Sequence, residues 1–330
     1  METCVFLSHE LAEPMAGTAS TARGWLLVEH PGPWAAKALT GSRGLDDGVG
    51  KELDERAARA GFRAALIRRP DEASRRPDEA GPGSEESDRT PNAPGRRADD
   101  KAGAASEGPR TAFLAWTEPG GTWLRWLRVR SAADLLALDL AALAGPTEPS
   151  VGESAAEPLL LVCTNGKRDR CCAVAGRPLA AALAASFPEA TWEVTHLGGH
   201  RFAPTAVVLP QGYLYGRLDP TSARAVVAAA GRGEMVPDHC RGRSTYSRAG
   251  QAAELAVRAD CGERRADALS VYDERAEDEG GWTIRVDHID GRTWTVAVDA
   301  HKEAPARPES CGKDQGLPTS MRARLLTHRQ

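Results

Sequence analysis

An α/β fold of two similar units followed by a small β-rich extension is the class that this 330-residue sequence predicts. Three observations predict it. Short apolar runs alternate with helical patterns in both halves, a low-complexity stretch interrupts the first half, and alternating segments near the end suggest a hairpin.

In the first half, residues 25–28 form an apolar strand, 33–39 a helix opened by proline, 53–60 a helix stopped at Gly61, and 62–67 the next strand. Residues 69–110 are dominated by Pro, Gly, Ser, Asp, Glu and Arg and are expected to be a disordered insertion. Segments 111–116 and 123–129 flank a Pro-Gly-Gly turn as a hairpin, and Ser131 caps an apolar helix that ends before Gly145. This order, βααβ then ββα, is compatible with a degenerate thioredoxin-like unit. Residues 145–158, rich in Pro, Glu and Ser, are expected to link the halves.

The second half repeats the theme. Residues 159–162 read as a buried strand and 178–187 as a helix with Leu179, Leu183 and Phe187 on one face; 191–195 is the next strand. Segments 205–209 and 213–215 pair across Pro210-Gln211-Gly212, with Tyr213 and Tyr215 sharing a face opposite Leu214, and Asp219-Pro220 opens a helix that stops at Gly231. The result, βαβββα, is close to a thioredoxin core. A helix near 251–258 and a hairpin of 283–286 with 293–298, joined at Asp290-Gly291, complete the chain. The expected division is 1–150, 151–260 and 261–330.

The net charge of -4 and a pI near 6.1 give no broad positive field, so nucleic acid is not an expected partner. No run approaches the roughly 20 apolar residues of a spanning helix, and the opening lacks the charge pattern of a signal peptide, so no membrane is expected and the location is read as cytoplasmic. The excess of 36 Arg over 6 Lys reads as codon bias. Seven cysteines, three of them within residues 163–172, are not a secreted scaffold; in a reducing compartment such clustering points to metal or redox chemistry.

Cys163 leaves a buried strand, and a charged loop brings Cys171 and Cys172 back to the same rim. His196 and His200 follow another strand, separated by Leu197 and two glycines that let backbone approach whatever the imidazoles hold. Two cysteines with two histidines suit zinc or an iron–sulfur cluster. The long spacing of Cys163 from Cys172 favours an object wider than one ion, whereas His-x-x-x-His fits either. Lys167, Arg168 and Arg170 read as a solvated loop that could also dock an acidic partner, and Asp169 as a residue that satisfies loop amides. Arg241 and Arg243 beside His239-Cys240 receive no role. Cys4, Cys261 and Cys311 are isolated in sequence, with packing the leading reading for Cys311.

The segments VCTNGKRDRCCA and THLGGHRFAPTAVVLPQGYLYGRL resemble the sucrase/ferredoxin-like family, which includes fungal actin-patch-distal proteins. The likeness covers 159–258 well, extends loosely to 17–34, and includes Arg307-Pro and Ser310-Cys-Gly-Lys313. It implies a thioredoxin-like ferredoxin domain with one 2Fe–2S cluster on Cys163, Cys172, His196 and His200, Cys172 being favoured over Cys171. It also implies a one-electron carrier between a reductase and an acceptor, both redox protein partners. Asn165 stands where the family often has histidine and is not expected to ligate. No pair of carboxylates suits glycoside chemistry, so the hydrolase half of the family label is set aside. Two rivals are a zinc-stabilised Cys2His2 interaction module and a thiol oxidoreductase using Cys171-Cys172; the latter lacks the usual C-x-x-C.

Overall fold

The computed structural model describes residues 3–70, 108–277 and 280–329. Most of the insertion expected at 69–110 therefore lies outside the described residues. The strands and helices in chain order are α1 (Cys4–Glu10), β1 (Gly24–Glu29), α2 (Asp47–Arg59), β2 (Phe62–Arg68), β3 (Arg110–Trp116), β4 (Trp123–Val129), α3 (Leu140–Leu143), β5 (Glu153–Ser154), β6 (Leu159–Cys163), α4 (Arg170–Ala184), β7 (Thr191–Val194), β8 (Ala206–Leu209), β9 (Tyr213–Tyr215), α5 (Pro220–Ala230), β10 (Cys240–Arg243) and α6 (Arg248–Cys261). The C-terminal part adds β11 (Leu269–Ala276), β12 (Gly281–His288), β13 (Thr293–Lys302), the two-residue pair β14 (Arg307–Pro308) and β15 (Gln315–Gly316), and β16 (Thr319–Arg329).

Ten strands form one mixed sheet in the order β10-β9-β8-β6-β7-β2-β1-β3-β4-β5. The two halves share a layout: β1 and β2 are parallel with β3 and β4 added antiparallel beside β1, and β6 and β7 are parallel with β8 and β9 added beside β6. They meet edge to edge where β2 and β7 pair antiparallel through Ile67 with Val194 and Arg68 with Glu193. Glu193 is fully buried there, bound by Arg68 at 2.6 Å and by the Thr164 hydroxyl at 2.8 Å.

The strands form where alternation sends successive side chains to opposite faces. Leu159, Leu161 and Cys163 enter a core shared by both halves with Trp25, Leu27, Phe113 and Trp192, whereas Leu160 and Val162 face Leu179, Leu183 and Val226. Tyr213 and Tyr215 share that second core and Leu214 takes the first, as the alternation predicts. A separate four-stranded sheet, β11-β12-β13-β16, packs its Ile284, Val286, Trp294 and Val296 on Ala249, Ala253 and Val257 of α6. The hairpin turning at Asp290-Gly291 is present within it.

Several helices differ from the sequence reading. Residues 33–39 hold no α-helix, only a 3-10 turn at Ala38–Thr40, because outside side chains take the backbone groups: Ser42 accepts from Ala35 N and Asn165 donates to Ala35 O. The segment after Ser131 breaks into a 3-10 turn, Ala132–Ala137, and the short α3, because Asp139 caps a fresh start by accepting from Ala142 N; Ser131 makes no cap bond. Helix α4 begins at Arg170, with Pro178 inside it, because Asp169 caps the earlier turn. Helix α2 likewise begins earlier than residue 53, capped by Asp46.

Candidate metal centre

The first thiol sits at the end of β6. Cys163 is the last residue of that strand, fully buried, with its Sγ 3.7 Å from Thr195 O. Thr164 and Asn165 then turn the chain, and Asp169 caps α4 by accepting from Cys171 N at 2.9 Å. Gly176 lets α4 press on the strand end, since a Cβ there would come within 2.2 Å of Cys163 O. That approach places Cys172, in the first turn of α4, beside Cys163.

The imidazoles come from the loop after β7. Leu197 is buried in the shared core and anchors the loop. Gly198 and Gly199 both adopt left-handed backbone, at φ +76° and +70°. A Cβ on Gly199 would strike the Arg241 guanidinium, so this glycine is required by close approach as well as by conformation. Arg241, fully buried, donates to Gly198 O at 3.0 Å, to the Thr18 hydroxyl at 3.1 Å and to Thr18 O; Arg63 donates to His196 O at 2.8 Å. The histidine loop is thus held by two arginines. Arg241 had no role in the sequence reading, because a guanidinium has no sequence signal for burial.

The four side chains form one continuous set. Cys163 and Cys172 share a hydrogen bond that holds the Cys163 thiol below its ordinary value, and the same bond, with burial, pushes Cys172 up. Cys172 Sγ lies 3.1 Å from His200 Nδ1, and the His200 and His196 rings stack with centroids 4.8 Å apart. Burial lowers both imidazoles, His196 to about 3, so both are neutral near pH 7 and carry the lone pair that binds metal. The Nδ1 atom of His196 is buried without a hydrogen-bond partner among the described residues. A buried polar atom in that state is costly unless something binds it, and a metal would. The donor set therefore fits a metal or a small cluster.

Asp169 adds a carboxylate. A carboxylate oxygen of Asp169, Cys172 Sγ and a ring nitrogen of His200 all lie within 4.8 Å of one another. Burial would raise this carboxyl, but the Cys311 amide and the other bonds outweigh it and hold Asp169 below the usual range. Its capping role matches the expectation that it satisfies loop amides.

The adjacent thiols face different ways. Cys171 Sγ is 3.9 Å from Cys4 Sγ and 3.1 Å from Cys311 Sγ, and the bond from Cys4 holds the Cys171 thiol down to about 6. Asn165 is occupied in the fold, accepting from Lys167 N and donating to Ala35 O. Lys167, Arg168 and Arg170 are exposed. Cys240 packs in the core beneath α5, its thiol pushed up to about 12 by burial, with no second metal pair beside it among the described residues.

No helix among the described residues is long and apolar enough to cross a membrane. No curated protein and no solved structure matches this chain significantly. The family model described as sucrase/ferredoxin-like matches residues 15–242, more than half of the sequence and all four of the Cys and His residues assembled here. The chain belongs to the sucrase/ferredoxin-like family.

Proposed function

We propose that this protein is a one-electron carrier whose 2Fe–2S cluster is held by Cys163, Cys172, His196 and His200 in a thioredoxin-like unit of residues 151–260. When bound, the cluster supplies reversible one-electron transfer at a potential raised by the two neutral ligands. Residues 1–150 form a cofactor-free counterpart and 261–330 an extension. The partners are a reductase on one side and an acceptor on the other.

One observation supports the reading: a contiguous Cys-Cys-His-His set, buried except for a half-buried His196, in which His196 Nδ1 has no partner among the described residues. His200 Nδ1 faces Cys172 Sγ, and with iron on Nδ1 of both rings the N–H of each would sit on Nε2. That proton is held in the reduced state and released more readily in the oxidised state. His196 borders a surface pocket of about 370 Å³ shared with Lys37, Arg63, Arg168 and Asp54, where the cations outnumber the one carboxylate and give an acidic redox partner an approach to this edge.

The test is a potentiometric titration at several pH values. The midpoint falls as pH rises from about 6 to 9, approaching about 59 mV per unit for each coupled proton, and a variant with both histidines changed to cysteine has a lower, flat potential. A pH-independent midpoint in the unmodified protein contradicts imidazole ligation. A second reading, one zinc ion in a structural site, draws on the closeness of Asp169 to Cys172 and His200, a donor set that also suits zinc. The thiol-oxidoreductase reading has less support, since Cys171 and Cys172 face different partners.

A further inference from the structure

Three more cysteines meet outside the set just described. Cys4 lies in α1, Cys171 in the first turn of α4, and Cys311 in the tail between β14 and β15. Their Sγ atoms are 3.9 Å (Cys4 to Cys171), 3.6 Å (Cys4 to Cys311) and 3.1 Å (Cys171 to Cys311) apart, and none is in a disulfide. A carboxylate oxygen of Asp169 joins them, all four donor atoms lying within 4.8 Å of one another.

Four donors around a tetrahedral zinc at about 2.3 Å per sulfur stand about 3.8 Å from each other. Two of the three sulfur separations match that edge. The third is shorter and involves Cys311, the exposed member of the three. A disulfide joins only two sulfurs and would leave the third thiol without a comparable partner, whereas a single soft cation uses all three.

The surroundings place the donors independently of any ion. Asp169 accepts from Cys171 N through one oxygen, and from the Ser310 hydroxyl and Cys311 N through the other. Those three bonds leave one of the carboxylate's roughly four lone-pair sites open. Glu13, which follows α1, is buried and accepts from Arg201 at 2.7 Å and Arg307 at 3.0 Å, tying the N-terminal segment to the tail. The tail is thus tied to the α4 cap through Asp169, and the N-terminal segment to the tail through Glu13, so other bonds bring the thiols together.

We propose that Cys4, Cys171, Cys311 and Asp169 form a second metal site, which binds one zinc ion and pins α1 and the C-terminal tail over the first turn of α4. The site is separate from the Cys163, Cys172, His196 and His200 set, although Asp169 lies at the edge of both. Thiolate ligation releases a proton from each coordinating thiol as the ion binds. The ion's role is structural, since a closed site of four protein ligands leaves no open position.

The test is zinc and iron analysis by mass spectrometry on the full chain, equilibrated with zinc sulfate and freed of excess. The expected result is one firmly held zinc that survives in a C163S/C172S variant and is lost in C311S, while C311S keeps the visible spectrum of the unmodified protein. C4S repeats the loss from a different element, so that misfolding of either variant does not decide the outcome. Retention of no zinc by the unmodified protein overturns the proposal, as does zinc unchanged in both C311S and C4S, or a Cys171–Cys311 disulfide in freshly purified protein. If the other centre holds zinc instead of iron, C163S/C172S loses one of two zinc ions, which separates failure of the electron-carrier reading from failure of this one.

Discussion

His196 loses much of its hydration in the loop after β7, and His200 beside it disfavours a second charge, so the ring stays neutral down to about 3. An unfolded chain would protonate it near 6.5. Above 6.5 the ring is neutral in both states and costs nothing; as pH falls from 6.5 toward 3 only the unfolded chain takes up the proton, and stability is lost. The metal-free protein should therefore weaken between pH 6.5 and 5 by up to about 1.4 kcal/mol per pH unit from this ring. Urea unfolding at pH 7.5, 6 and 5 checks this, with H196N giving a shallower dependence; equal slopes for the two proteins would contradict it. That these four side chains would lie near one another was legible, because strand ends and glycines set them in two short local motifs. The thiol triad was not, since Cys4 and Cys311 stand 307 positions apart and neither carries a local pattern. Arg241 and Arg243 were equally hidden, because their burial depends on carbonyls of distant segments, Gly198 O for one and Thr117 O for the other.

Helix α4 carries the centre only because it lies close on β6, and Gly176 sets that distance. Alanine there would favour the helix by up to about 1 kcal/mol. Its Cβ, however, would meet backbone at Cys163 O, and overpacking against an immovable group costs about 1–3 kcal/mol. G176A is expected to lower the urea midpoint and shift Cys172 away from Cys163, seen as weaker metal retention; an unchanged midpoint would show that the contact yields. Strands were the more legible elements, since the alternation of Leu159 to Val162 or Tyr213 to Tyr215 is a local, period-two signal. Helix starts were less so. Proline at 178 resembles a first-turn residue, yet the Asp169 cap begins α4 a full two turns earlier, and Asp139 interrupts what reads as one apolar helix.

At the scale of the whole molecule, the sheet crosses from one half to the other at β2 and β7, and a single core holds Trp25 and Phe113 from one side with Leu161 and Trp192 from the other. The join was illegible in sequence, because it involves two residue pairs on strands far apart in the chain, across the segment 71–107. The two halves should unfold together. A fragment of residues 151–330 would expose Trp192 and leave Glu193 without Arg68, and removing one partner of such a buried pair costs about 3–5 kcal/mol. The fragment is expected to be poorly soluble, and the full chain to show one coincident transition by tryptophan fluorescence and by loss of visible colour; two separated transitions would contradict the shared core. The most direct test of the central claim is iron, sulfide and zinc analysis of freshly purified protein together with its visible spectrum. Red-brown protein with about two irons and two sulfides per chain, both lost in C163S/C172S, is the expected result. Colourless protein that holds only zinc, or no metal, would contradict it.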